Sequence, residues 1–257
     1  ISNSINEALL GISEKPDVAI ITTVSNLKQI YNQIEEVVKH NINVISTCEE
    51  LSYPWETDPV LSERLNDICK QNNVACLGTG VNPGFLMDYL PSVLSTVCNK
   101  INKIKICRVQ DASSRRISFQ KKIGAGLSLN EFKNKQNEGT LRHVGLTESL
   151  HLLANSVNFT LDKVTETLNP VICESDLNGS INIKKGEARG VEQVACGYLN
   201  NEVVIEMQFK AAIGEARSFD KIEVDGIPSF VSEIEGGING DIATCSIAIN
   251  SVKSILK

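Results

Sequence analysis

The sequence has no apolar run near the roughly 20 residues that a membrane-spanning helix requires, so no such span is expected. It has no excess of positive charge: Lys+Arg 25 against Asp+Glu 31 leaves a net charge of -6, which gives nucleic acid and anionic membranes no general attraction. It has no CxxC pair, and His40, His143 and His151 stand at no zinc-like spacing to Cys48, Cys69, Cys76, Cys98, Cys107, Cys173, Cys196 or Cys245. No metal site is therefore expected, and the scattered thiols read as small hydrophobes of a reduced, cytoplasmic protein. The opening ISNSINEALL has neither a charged lead-in nor an apolar core, so no export signal is visible. Most telling, no glycine-rich phosphate loop precedes strand–helix units of a kind that normally follow one.

What is present begins with alternating strands and helices. Asp17 to Thr23, DVAIITT, is an apolar run suited to a strand buried on both faces. Leu27, Ile30, Tyr31, Ile34, Val37 and Val38 then recur at helical spacing, with Ser25 or Asn26 as N-cap and Asn41 as the stop. A second strand is expected at 43–47 and a helix at 58–71. A third strand at 73–77 leads through a glycine turn into a helix at 83–98. Three such units imply a parallel sheet whose ligands bind beyond the carboxyl ends of its strands. After Lys100 the pattern changes: Ile104 and Ile106 alternate with Lys103 and Lys105, as in a sheet with one wet face. A helix is expected at 145–157, and strands at 160–168, 191–199, 202–212 and 221–225, with Asn201–Lys210 a hairpin arm against Val191–Leu199. The fold class is α/β: an incomplete dinucleotide-binding parallel sheet (1–99), an α+β domain with a mostly antiparallel sheet (100–235), and a helical tail (236–257) returning to the first domain.

The strand INVISTCEEL runs directly into two carboxylates, Glu49 and Glu50. Consecutive residues point in different directions, so one of the pair faces the crevice, as an anchor for a cation or a general base worth about 10²–10⁴-fold in rate. The alternative is that both begin a helix, where negative charge suits the dipole. GTGVNPGF, Gly78 to Phe85, misses a dinucleotide fingerprint because Pro83 replaces the third glycine. It either lets backbone approach a flat ring, with Pro83 opening the next helix, or is a tight turn without a ligand. Arg115, Arg116, Lys121 and Lys122 bind an anion or line a solvated strand edge. His143, ahead of a helix bearing Glu148 and His151, suits contact with substrate or a place in the core. Three glycines in GGINGDIATC suit a hinge or close approach to a ligand, with Asp241 a cap or a ligand.

Taken together, STCEELSYPW, GTGVNPGF, VQDASSRR, FQKKIGAGL, GTLRHVGLTES and GGINGDIATC closely resemble the 2,4-diaminopentanoate dehydrogenase and native amine dehydrogenase family across the whole chain. The resemblance implies a Rossmann domain, a central domain for substrate and dimer contacts, and an architecture similar to dihydrodipicolinate reductase. It also implies NAD or NADP as cofactor, a small amine as substrate and a homodimer. By resemblance the reaction is oxidative deamination in ornithine fermentation, 2,4-diaminopentanoate giving 2-amino-4-oxopentanoate and ammonia. The family's active-site glutamate maps onto the CEE pair, with Glu50 favoured and Glu49 the fallback. Thr22, Thr23, Thr47, Asn82, Pro83 and Gly84 become the cofactor contacts, and His143 and Arg142 the substrate-side groups. Family members carry roughly 75–90 further residues in front, including the glycine-rich loop and the residue selecting NAD or NADP, so this chain alone is expected to be inactive. Two alternatives differ in kind. A dihydrodipicolinate reductase needs adjacent histidines and a Lys-x-Asp-x-Pro-Ser-Gly run, both absent here. A non-catalytic Rossmann-derived binding subunit would leave the CEE and NPG segments unexplained.

Overall fold

A computed structural model describes residues 4–141 and 143–256, which fall into two compact units. Residues up to Phe85 and from Asn239 onward form one, and Leu86–Ile238 the other.

The first unit opens with a short helix, α1 (Ile5–Leu10), and is built on three parallel strands in the order β1 (Val18–Ile21), β2 (Asn43–Ser46), β3 (Cys76–Gly78). Helix α2 (Leu27–Val38) is capped by the Asn26 side chain, which accepts from the Gln29 N–H. It buries Leu27, Ile30, Tyr31, Ile34, Val37 and Val38, the stripe expected from the spacing. Each such side chain contributes about 1.5–3 kcal/mol when fully buried. Helix α3 (Pro59–Gln71) has Asp58 as its cap and Pro59 in its first turn, where proline's missing N–H costs nothing. Asn41 and Asn73, with φ of 55° and 53°, turn the chain into β2 and towards β3. β1 is not buried on both faces: it is the edge strand, and Ile20 is 45% exposed. The returning segment forms α8 (Gly240–Asn250) and α9 (Val252–Ile255), two helices where one was expected.

The second unit is a six-stranded sheet in the order β5 (Lys163–Ile172), β6 (Ala188–Leu199), β7 (Glu202–Ala212), β4 (Lys100–Asp111), β8 (Phe219–Ile227), β9 (Phe230–Glu235). Only the β4–β7 pairing is parallel. The hairpin of β6 and β7 is as expected; β9 was not foreseen. Helices α4 (Tyr89–Ser95), α5 (Ile117–Lys122), α6 (Leu129–Asn137) and α7 (Leu146–Ser156) complete the unit, with α7 against β6 and β7.

Three expectations are corrected here. The helix after β3 starts at Tyr89, not Pro83: the Asn82–Pro83 peptide is cis, Gly84 has φ 115°, and Asp88 caps the helix instead. That helix groups with the second unit, where the fully buried Asp88 accepts from the Ser149 hydroxyl of α7 at 2.7 Å, so the boundary falls at Phe85 rather than 99. The basic segment is not a strand edge: Ile117–Lys122 is a helix with Arg116 at its N-cap. The buried Gln120 amide donates to the carbonyls of Ala112, Ser113 and Arg115 at 3.1, 3.2 and 2.9 Å and folds it back on itself.

Candidate active site

In the first unit the carboxyl ends of the strands lie side by side, because Ile21 registers with Ser46 and Ser46 with Gly78. The buried Ser46 fastens them: its Oγ donates to the Ile21 carbonyl (3.0 Å) and accepts from the Cys48 N–H (3.1 Å), while its carbonyl accepts from the Thr79 N–H (2.9 Å). The Thr47 N–H also donates to Ile21 O at 3.2 Å. Thr22 and Thr23, Thr47 to Glu50, and Thr79 to Gly84 therefore emerge at one edge of one sheet. Thr22 and Thr23 are exposed, Thr47 is half-buried, and Asn82 and Pro83 are buried. The Thr23 hydroxyl donates to Gln33 Oε1 of α2 at 2.7 Å, which leaves its lone pairs for a ligand.

Glu49–Ser52 is a single 3-10 turn. The Glu50 side chain is 7% exposed, and its carboxylate accepts from the Leu27 N–H at 2.8 Å and from Asn26 Nδ2 at 2.9 and 3.1 Å. Glu49 is half-buried. Burial pushes the neighbouring Cys48 thiol up to about 12, and both glutamates add to the shift, so the sulfur stays protonated and is no nucleophile.

The glycines of GTGVNPGF answer to the chain's own backbone. A Cβ on Gly78 would lie 2.4 Å from the Leu51 carbonyl oxygen, so the Glu49–Ser52 turn presses directly on the end of β3. A Cβ on Gly84 would lie 2.5 Å from the Gly80 nitrogen, in addition to its positive φ. In the returning segment Asn239, not Asp241, caps α8, accepting from the N–H groups of Asp241 and Ile242. The Thr244 hydroxyl of that helix accepts from the Val81 N–H at 3.4 Å.

In the second unit His143 is fixed from two sides. Its ring stacks on Phe209 with centroids 4.3 Å apart, and its main chain is clamped by the Gln193 amide, which accepts from its N–H (2.8 Å) and donates to its carbonyl (3.0 Å). Gln193 Nε2 also donates to Glu166. An open cavity of about 400 Å³ beside them is lined by Gln136, Leu141, Glu166, Leu168, Asn169 and Gln193. Arg142 lies outside the described residues. Arg115 donates to Gln110 Oε1 at 3.0 Å and sits 4.1 Å over the Phe119 ring. Gln193 and Glu166 were missed from the sequence, although Gln193 is the one polar residue among the inward positions Val191, Ala195 and Gly197 of its strand.

A three-stranded parallel sheet and a separate, mostly antiparallel six-stranded sheet make a Rossmann-like α/β architecture. An amine dehydrogenase from Mycobacterium smegmatis shares this fold with a TM-score of 0.80, at 18% identity, over 93% of this chain and 72% of that one. A biliverdin reductase from Synechocystis, solved with biliverdin and NADP+, matches with a TM-score of 0.50 at 11% identity, over 96% and 74%. The 2,4-diaminopentanoate dehydrogenase of Acetoanaerobium sticklandii is 29% identical over 253 residues, 95% of this chain and 72% of that protein. Residues 85–257 match the 2,4-diaminopentanoate dehydrogenase C-terminal domain, and the chain belongs to that family.

Proposed function

We propose that the protein is an NAD(P)-dependent amine dehydrogenase that oxidatively deaminates a small amine, with 2,4-diaminopentanoate as the first substrate to try. The observation that carries this reading is the delivery of two adjacent glutamates to the carboxyl edge of a parallel sheet in a chain of this family. Thr22, Thr23, Thr47, Asn82, Pro83 and Gly84 offer hydroxyls, an amide and close backbone at that edge, which fits the nicotinamide half of a dinucleotide. The dinucleotide supplies the hydride acceptor for the amine carbon. A carboxylate of the CEE pair holds the substrate ammonium, takes its proton and activates the water that converts the iminium to ketone and ammonia. His143, with its ring and main chain both fixed, and Arg142 orient the rest of the substrate. The family resemblance further supports a cytoplasmic homodimer.

The test is dinucleotide reduction by the full-length gene product with 2,4-diaminopentanoate, using NAD and NADP in turn and ammonia as second readout. Amine-dependent reduction with ammonia released in equal amount is expected. Inertness towards amines, combined with oxidation of reduced dinucleotide by dihydrodipicolinate, would overturn the reading.

A further inference from the structure

An asparagine followed by glycine is a chemically labile step, because no side chain on the glycine keeps its nitrogen from the asparagine's own amide carbon. Only Asn178 and Asn239 are followed by glycine in this chain, and the fold treats them oppositely. Asn239 is the N-cap of α8: its Oδ1 accepts from the Asp241 and Ile242 N–H groups at 3.0 and 3.3 Å, and Gly240 is the first residue of the helix. Its amide carbon reaches the Gly240 nitrogen only if both bonds are given up and the first turn opens. Asn178 is exposed, and among the described residues nothing hydrogen-bonds its side chain. Gly179 is exposed too: a Cβ there would meet nothing nearer than 3.9 Å, and its N–H makes one long bond, 3.4 Å to Asn182 Oδ1.

Asn178 also opens a short loop whose base is fixed. Leu177 and Ile183 exchange both main-chain hydrogen bonds, at 2.8 and 2.9 Å, and residues 178–182 hang between them. Ile183 is buried with Ala125 and Cys173, and Leu177, Ile181 and Ile213 pack against this cluster. Ile181, inside the loop, reaches Gly126 so closely that a Cβ there would lie 3.0 Å from its Cγ2. A change of main-chain length at 178 is therefore felt by this small core, not by the loop tip alone.

We propose that Asn178 is a site of spontaneous backbone modification, with water as its only co-reactant. The Gly179 nitrogen, its proton lost to solvent base, attacks Asn178 Cγ. The new C–N bond closes a succinimide ring, and the side-chain nitrogen leaves as ammonia after taking a proton back from solvent. Water then opens the ring at either carbonyl and gives aspartate or isoaspartate. Nothing is oxidised or reduced, and the chain gains one negative charge. Isoaspartate routes the main chain through its β-carbon, which lengthens the 178–182 loop by a methylene and loosens the Leu177–Ile183 pairing. Asn239 is spared by its place as a cap, and none of this depends on the dehydrogenase reading.

The test incubates the folded full-length gene product in water labelled with heavy oxygen, at neutral and mildly alkaline pH, and follows both asparagines by peptide mapping and mass spectrometry. Label is expected to enter at 178 as a mixture of aspartate and isoaspartate, faster at the higher pH because the attacking nitrogen must lose its proton. Asn239 is expected to convert at least about ten-fold more slowly, through the small population in which the first turn of α8 has opened. In urea the two steps should react at similar rates, which separates the effect of the fold from that of the sequence. Gly179→Ala, whose added methyl has room, should keep wild-type stability and suppress conversion at 178. Equal rates at 178 and 239 in the folded protein would overturn the proposal, as would an Asn178 that stays intact when folded but reacts when unfolded. Amide exchange at Leu177 and Ile183 reads the consequence: faster exchange in the isoaspartate fraction sustains the loosening, and unchanged exchange overturns it.

Discussion

Gly78 shows how one absent side chain sets the geometry of the strand ends. Its backbone is in ordinary extended space, so conformational freedom is not the issue; the constraint is the Leu51 main chain, whose carbonyl oxygen and carbon would lie 2.4 and 2.6 Å from an added Cβ. Backbone cannot swing aside as a long side chain does. Gly78→Ala is expected to cost about 1–3 kcal/mol, the range for overpacking a close contact. Gly179→Ala, whose Cβ would meet nothing nearer than 3.9 Å, should stay within about 0.5 kcal/mol. Urea midpoints of the two variants check this, and equal midpoints would mean that the turn at Glu49–Ser52 yields. The glycine and the glutamate pair were both legible in the sequence as residues of interest, but their contact was not. The same holds for Glu50, whose partners Asn26 and Leu27 lie 24 and 23 positions upstream. Local spacing identifies a carboxylate leaving a strand; only the crossover that returns α2 to the sheet decides what it meets.

At the scale of elements, what could be read locally was read well. The α2 stripe, the Asn26 cap and the β6–β7 hairpin depend on residues within a few positions of each other. α4, α5 and β9 depend on more. Gly84 at φ 115° forbids the helix that Pro83 invited, Gln120 folds α5 back on carbonyls five to eight positions earlier, and β9 exists because β8 offers Phe219–Val224 as a ladder. The half-exposed face of the six-stranded sheet, anticipated from the Lys103–Ile106 alternation, is held by cross-strand charge. Glu206 on β7 meets Lys103 at 2.7 Å and Lys105 at 3.0 Å on β4. The hydrogen bond from Lys103, with Lys105 beside it and burial opposing, holds the Glu206 carboxyl below its ordinary value. A carboxylate with a depressed folded pKa adds stability above its unfolded pKa of about 4.3, and that stability fades as pH falls through the folded value. Glu206→Gln should therefore lower the thermal midpoint at pH 7 and lose that effect below about pH 4. Melting curves across that range check it; a deficit that persists at low pH would assign the cost to packing rather than charge.

For the molecule as a whole, the decisive feature is that the first unit is assembled from both ends of the chain and the second from one continuous segment. The returning helices touch the loop that follows β3, so they are expected to matter to this unit. Their contacts agree: Ala248 of α8 is buried, the Thr244 hydroxyl takes the Val81 N–H, and Gly80 faces the Thr244 methyl at a distance its own Cβ would reduce to 3.8 Å. The chain leaves the second unit at Ile238, and that exit is anchored there. Arg108 and Gln110 donate to the Ile238 carbonyl at 2.7 and 2.8 Å, Asp220 accepts from its N–H at 2.8 Å, and Arg108 and Asp220 pair at 2.5 Å with almost no exposure. A buried ion pair of this kind is costly to break from one side, because the remaining charge is left without its partner. Ending the chain after Ile238 thus removes support from the first unit while sparing the anchor of the second. The expected outcome is faster amide exchange across β1–β3 and the 79–84 loop, with protection of β4, β6, β7 and β8 unchanged. Equal loss of protection in the six-stranded sheet would show that the two units unfold as one, and the discontinuity of the first would then carry no separate energetic meaning.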